Sequence, residues 1–343
     1  MHQGSARTRL FAVLLAALLL LPLAAACSQD QPRDAITVYS GRGQALIEPL
    51  LNRFAEESGI PVDVRFGDSA DLALQIDTEG ARTAADVFIS QSPGTVGFLA
   101  AKGLLAPLDT ALLEKVEPAF RSSRNLWVGL SGRERVLVYN ADTVKPEDLP
   151  ASVFDLTGPK YAGKVGIAPT NASFEDFVTA MREVVGDDRT REWLTGMERA
   201  GSTIYPNNNA IVAAVGRGEI PMGLVNHYYN FRALAEDPGL PSRNHSFAAG
   251  DLGRMLLVST ATVLESSQKK DMAMRLVEFL LSQEAQEYFT QEDFEYPLVR
   301  GIPPRSELPP LDVAATPKID LESLGDKLEM TLELIESSGL LRE

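Results

Sequence analysis

Residues 35–66 read AITVYSGRGQALIEPLLNRFAEESGIPVDVRF. Ile36–Ser40 is a β-branched run and reads as a strand. Gly41-Arg42-Gly43 is a turn. Gln44–Ser58 then sets Leu46, Ile47, Leu50, Leu51 and Phe54 at helical spacing, with Gly59 as the stop. Pro61–Phe66 is a second strand. Strand, helix and strand in so short a stretch make a βαβ unit, which implies a parallel pair with helices over the sheet.

The same alternation continues outward. Ser69–Thr78 reads as a helix with Ser69 as N-cap, Ala85–Ser90 as a third strand, and a helix follows to Lys102. A second α/β run begins with two strands, Trp127–Gly132 and Arg135–Asn140. It goes on through the strand Lys164–Ala168 and the helices Phe174–Val185, Arg189–Ala200 and Asn208–Val215. Pro221–Val225 is a strand leading into a helix over His227–Ala235. Met255–Val263 is extended, Asp271–Leu281 and Glu284–Gln291 are helical, and Leu321–Ser338 closes the chain as an amphipathic helix. The fold class is α/β, with two lobes, each a mainly parallel sheet flanked by helices. A ligand in such a fold sits in the cleft between lobes, at strand ends and helix N-termini.

The N-terminus says where the protein works. Residues 1–26 carry Arg7, Arg9 and no acid, then the apolar run Leu10–Leu23, then Ala24-Ala25-Ala26 before Cys27. A basic segment, an apolar segment and small residues make an export signal. A Cys in that place resembles a bacterial lipobox, so Cys27 is the expected site of lipid attachment. Residues 27–34 form a short polar tether. Cleavage takes Lys+Arg from 32 to 30 against 47 acids, a net charge of −17 compared with −15 for the whole chain. Such acidity excludes nucleic acid as a partner. One Cys and three His exclude a Cys/His zinc cluster and an internal disulfide. There is no G-x-S-x-G, P-loop, dinucleotide fingerprint or H-E-x-x-H, so nothing points to an enzyme.

The chemistry is concentrated in Asn226-His227-Tyr228-Tyr229, directly after a strand. Phenolate oxygen is a hard anionic ligand suited to Fe(III), and a bound cation can deprotonate a phenol below its usual pKa near 10. Taken alone, the pair also reads as two packing aromatics. It does not stand alone. ITVYSGRGQ (36–44), FGDSADLALQI (66–76), TAADVFIS (83–90), KGLLAPL (102–108) and LSGRERVLVYN (130–140) resemble, in order, the bacterial periplasmic ferric-ion-binding proteins. So do the block 204–231 around NHYYN, GDLGRMLLVSTATVL (250–264) and FEYPL (294–298).

The resemblance implies a type II periplasmic-binding fold, with an N-terminal lobe of 35–134 plus 258–306 and a C-terminal lobe of 135–257 plus 307–343. It places the family's paired tyrosine ligands on Tyr228 and Tyr229. Its usual His ligand falls on Gly43 and its usual Glu ligand on Gln91, so both charges or donors are missing here. Water, a synergistic anion (carbonate, phosphate or citrate) or a chelator must then complete the Fe(III) shell. The implied anion loop is Thr170-Asn171-Ala172-Ser173, with Asn208, Asn226 and Arg133. For Asn208 an N-cap role is equally open, and for Arg133 a salt bridge at the hinge. Arg42, with Gly43 and Gln91, is a cleft candidate. His227 reads as structural, and Glu295 as a hinge residue. The implied role is an exported, monomeric, lipid-anchored binding protein that delivers iron to a membrane permease with its own ATPase. The alternative is a same-fold binder of a polyamine, thiamine, phosphonate or other organic solute.

Overall fold

The opening stretch folds as its pattern dictates: β1 is Ile36–Ser40 and α1 is Gln44–Ser58. Ile47, Leu50, Leu51 and Phe54 are the buried face of α1. Gly59 ends the helix at φ 70°, the left-handed C-terminal conformation that glycine takes without strain. The computed structural model describes residues 35–341, so the export signal, Cys27 and the tether lie outside the described residues.

The remaining elements of the first half are β2 (Val62–Phe66), α2 (Ser69–Glu79), β3 (Val87–Ser90), α3 (Pro93–Ala101), β4 (Leu105–Ala106) and α4 (Thr110–Leu113). Then come β5 (Val128–Asn140), β6 (Val165–Ile167), α5 (Ala172–Val185), α6 (Asp187–Arg199), β7 (Thr203–Ile204) and α7 (Asn208–Gly216). The chain continues with β8 (Met222–Asn226), α8 (His227–Glu236), β9 (Ser242–His245) and β10 (Leu256–Leu264). It closes with α9 (Lys270–Leu280), α10 (Gln283–Gln291), β11 (Tyr296–Pro297) and α11 (Leu328–Ser337).

From Ile36 onward this is one compact unit with one 11-stranded sheet. Its order is β2-β1-β3-β10-β5-β8-β6-β7. The outer pairs β1–β2, β1–β3, β6–β7 and β6–β8 are parallel, as the βαβ reading requires. The central pairs are antiparallel, because β5 and β10 cross between the halves in opposite directions. "Mainly parallel" therefore holds for the flanks and not for the joint.

The two strands expected at 127–132 and 135–140 are one continuous strand, β5. Arg133 and Glu134, between the two expected strands, and their neighbours Ser131 and Arg135 are all buried and hydrogen-bonded within the joint. Residues 128–134 pair with β10, and Arg135–Tyr139 pair with β8. The register thus changes sides at 134/135.

Two other expectations change. Arg42 is buried, not a cleft residue. Its guanidinium is ion-paired to Asp293 at 2.6 Å and Glu295 at 3.0 Å, and it donates to Ser131 and Ser259 on the two crossing strands. Glu295 is accordingly a buried structural carboxylate beside the crossing strands. The closing helix starts later than expected: Leu321–Lys327 is a 3₁₀ segment and only Leu328–Ser337 is α-helical. The 3₁₀ segment lies on α3 so closely that a Cβ on Gly325 would stand 2.2 Å from the Gly94 carbonyl oxygen. Glu322 there accepts from Ser122 at 2.9 Å and from Arg124. α11 instead meets α5, through Thr179 and Thr331 at 2.9 Å. Residues 321–337 therefore touch α3 in the first half as well as α5 in the second.

Candidate functional site

β8 is paired to β5 with Asn226 opposite Arg135. The strand turns at once into α8, whose first residues are His227, Tyr228 and Tyr229. This puts the tyrosine pair beside the joint between the halves. Their rings stack at 4.1 Å with 29° between planes. Tyr228 is buried and Tyr229 partly exposed. Burial, and then the neighbouring Tyr229, push the Tyr228 phenol well above its ordinary value. Tyr228 is therefore a neutral phenol in the metal-free protein.

His227 is not part of that pair. Its Nδ1 accepts from the Glu134 N–H at 3.0 Å and its Nε2 donates to the Phe294 carbonyl at 2.8 Å. Burial pushes it down to about 4, so it is a neutral imidazole with both nitrogens occupied. It is the structural histidine expected.

A cavity of about 70 Å³ opens at this joint. On one side it is lined by Gly41, Asp68, Ser69, Gln91 and Ser92, on the other by Asn171–Ser173, Asp176, Asn226 and Tyr229, with Arg133 between. An adjoining cavity of about 250 Å³ shares Asp68, Ser92 and Asp176 and adds Thr170. A larger one, about 750 Å³, lies away from these groups under residues 313–321. The polar convergence, not the size, marks the site.

Gly43 does not line the cavity. It is exposed at the start of α1, with only Leu46 within 4 Å of an added Cβ. Gln91 does line it. Its side-chain oxygen accepts from Arg133 Nη1 at 3.2 Å, and its backbone carbonyl accepts from Arg133 Nη2. Arg133 thus holds an amide where the family's Glu would stand, rather than an acid at the hinge. Among the described residues no group of three or more His, Cys, Asp or Glu could hold a metal ion.

The expected anion loop and both asparagines are brought together. Asn171 caps α5, its Oδ1 accepting from the Ser173 N–H and hydroxyl at 3.2 and 2.6 Å and from Asn208 Nδ2 at 3.0 Å. Asn207, not Asn208, caps α7, so Asn208 is free for this network. Likewise Asp68, not Ser69, caps α2. Arg135 lies behind the loop, and sequence reasoning missed it. β5 alternation alone puts positions 133 and 135 on one face, and that signal was available.

Asp176 was also missed. It accepts from the Ser92 hydroxyl at 2.6 Å across the cavity. Burial, reinforced by Glu175 and Asp68, outweighs the Ser92 bond and Arg133 and pushes it up to about 7. A raised folded-state value means the folded protein binds the extra proton between about 4 and 7. Stability is then fully present at low pH and lost as pH rises through that window. Asp176→Asn keeps the acceptor for Ser92 without the charge. Urea unfolding from pH 4 to 8 is expected to show the variant gaining on the wild type, by an amount on the order of a few kcal/mol above pH 7. Parallel profiles would refute the buried charge.

Comparison with known proteins adds a family. A family model described as bacterial extracellular solute-binding protein matches residues 82–318. The Fe(3+)-binding periplasmic protein of Serratia marcescens is 32% identical over 334 residues, covering 96% of this chain and 97% of that protein. Iron-bound HitA from Pseudomonas aeruginosa superposes with a TM-score of 0.83 at 36% identity, over 89% of this chain and 99% of that one. A Trichodesmium protein (IdiA, FutA) in complex with iron and citrate ligands gives 0.79 at 28% identity, over 89% and 99%.

Proposed function

The chain belongs to the bacterial extracellular solute-binding proteins, and we propose that its cargo is Fe(III), held between the two lobes by the phenolate oxygens of Tyr228 and Tyr229. The observation that carries this is the stacked pair at 4.1 Å, with Tyr229 lining a cavity whose other groups include the Asn171–Ser173 loop, Asn226 and Arg133. Two phenolates leave an octahedral shell incomplete. With Gly43 and Gln91 in place of the family's His and Glu, a small oxyanion or a hydroxycarboxylate chelator completes it. Thr170–Ser173, Asn208, Asn226 and Arg133 hold that anion. The relatives named for ferric iron, and the neighbour holding iron with citrate, support this reading.

The protein is then a binding component, not an enzyme. Exported and lipid-anchored at Cys27 as a monomer, it passes iron to a membrane permease driven by a separate ATPase. The lobes meet near 134 and 257. Among the described residues no helix is long and apolar enough to cross a membrane.

The test is a titration of metal-stripped protein with ferric citrate, followed by visible absorbance. Phenolate-to-iron charge transfer is expected to give a band that saturates at one equivalent. Because burial holds the Tyr228 phenol far above its usual value, loading expels protons, and acidification is expected to bleach the band. No band, with no thermal stabilisation by iron, would move the cargo to another solute.

A further inference from the structure

Arg135 is 1% exposed, yet among the described residues it makes no ion pair with a carboxylate. Of the other buried guanidiniums at the joint, Arg42 has two such partners and Arg133 is bonded to Gln91. Burying an unpaired charge costs several kcal/mol. Burial drags Arg135 down only to about 10, so it keeps its charge at neutral pH. Its sole bonds are long: Nη1 to Ser173 Oγ at 3.4 Å and to Asn226 Oδ1 at 3.3 Å. Its Nε and Nη2 have no acceptor, and neither has Asn226 Nδ2.

These unmet groups are all donors. A guanidinium and an amide nitrogen can be satisfied only by an acceptor. The bond from Arg135 also fixes the Asn226 amide with its oxygen turned inward, leaving Nδ2 as the group to offer a ligand, and Asn226 lines the cavity. The Ser173 hydroxyl spends its proton on Asn171 and turns its lone pairs to Arg135 and Asn208.

We infer that Arg135 is the positioning residue that makes this loop select an oxyanion, by supplying its charge and by holding Asn226 as a donor. The inference deepens the iron reading and rests on it for the cargo. The anion step itself can be tested without iron.

Metal-free protein would be titrated calorimetrically with inorganic phosphate and, separately, citrate, and the stronger binder names the anion. Arg135→Met, of similar length, is expected to weaken that anion at least about 100-fold. Its ligand-free melting temperature is expected to stay level or rise, because an unpaired buried charge has gone. A structural arginine would behave the other way. Anion affinity within twofold of wild type overturns the inference, as does a wild type that binds neither anion with or without ferric ion. Should Arg135→Met not fold, Arg135→Lys keeps the charge but loses the fork. A loss of at least about tenfold in that variant supports the role, and wild-type affinity overturns it. An Arg135-dependent anion site without a ferric band keeps this inference and removes the iron reading. A ferric band with anion affinity indifferent to Arg135 does the reverse.

Discussion

Replacing both phenols, in Tyr228→Phe with Tyr229→Phe, is expected to abolish the ferric band and to lower iron affinity by more than about 10⁴-fold. The size follows from what is lost. Altering a group that only orients a metal ligand typically costs 10–100-fold, and here two ligands themselves disappear. Two losses of at least about 100-fold multiply to roughly 5.5 kcal/mol. The fold should barely notice. Phe keeps the ring, so the 4.1 Å stack survives, and no buried carboxylate or cation is left unpaired. Loss of two hydroxyls costs about 1 kcal/mol each. Retained thermal unfolding with no band would identify the tyrosines as ligands. A band of undiminished intensity in the double variant would place the iron elsewhere. A solute that merely stacks on the rings would be weakened only modestly, so the same variant separates iron from an organic cargo.

The position of that pair was legible because it depends on local order. A strand of buried apolar residues, Met222–Val225, must end, and α8 begins at His227. The residues of the first turn then face the joint, whatever the rest of the chain does. The opening βαβ unit was legible for the same reason, with β1 and α1 set by alternation, helical spacing and Gly59. What failed were judgements about residues whose partners are far away in sequence. Arg42 sits in a turn that reads as part of a cleft, yet its partners are Asp293 and Glu295, some 250 positions on. Arg133 and Glu134 fell between two expected strands, because the partners of this stretch on β10, β8 and the segment after α10 were not visible locally. Arg135 was passed over although alternation sets it on the face of Arg133, and that no acid stands beside it is visible only in the fold. Asp176 stands on a helix face that is buried only when the two halves come together. The cap of α2 was placed one residue late, at Ser69 rather than Asp68, since Ser, Asp and Asn compete on nearly equal terms for that place.

Arg42→Met is expected to destabilise the metal-free protein by about 3–5 kcal/mol, the cost of removing one partner from a buried ionic cluster. The guanidinium is fully enclosed, bonded to Asp293 and Glu295, and it donates to Ser131 and Ser259 on the two crossing strands. Burial pushes the Glu295 carboxyl up. Arg42 and Arg133, with the Ser131 hydroxyl, more than reverse that and hold it below its ordinary range. Without Arg42 that compensation falls away and burial prevails, so the carboxyls must take up protons to stay inside. The folded variant then binds more protons than its unfolded chain near neutrality. Its deficit should therefore be largest at pH 8 and shrink as pH falls toward 5. Combining Arg42→Met with Asp293→Asn and Glu295→Gln should recover much of the loss, because it is the stranded charges that cost. Urea unfolding at pH 8 and pH 5 reads all of this. A cleft arginine would behave differently. Its removal would weaken binding of an anionic chelate and leave unfolding within about 0.5 kcal/mol of the wild type. A deficit that large, relieved by acid and by neutralising the two acids, would make Arg42 the charge that ties the first βα turn to both crossing strands. An unfolding midpoint indifferent to both would return it to the cleft.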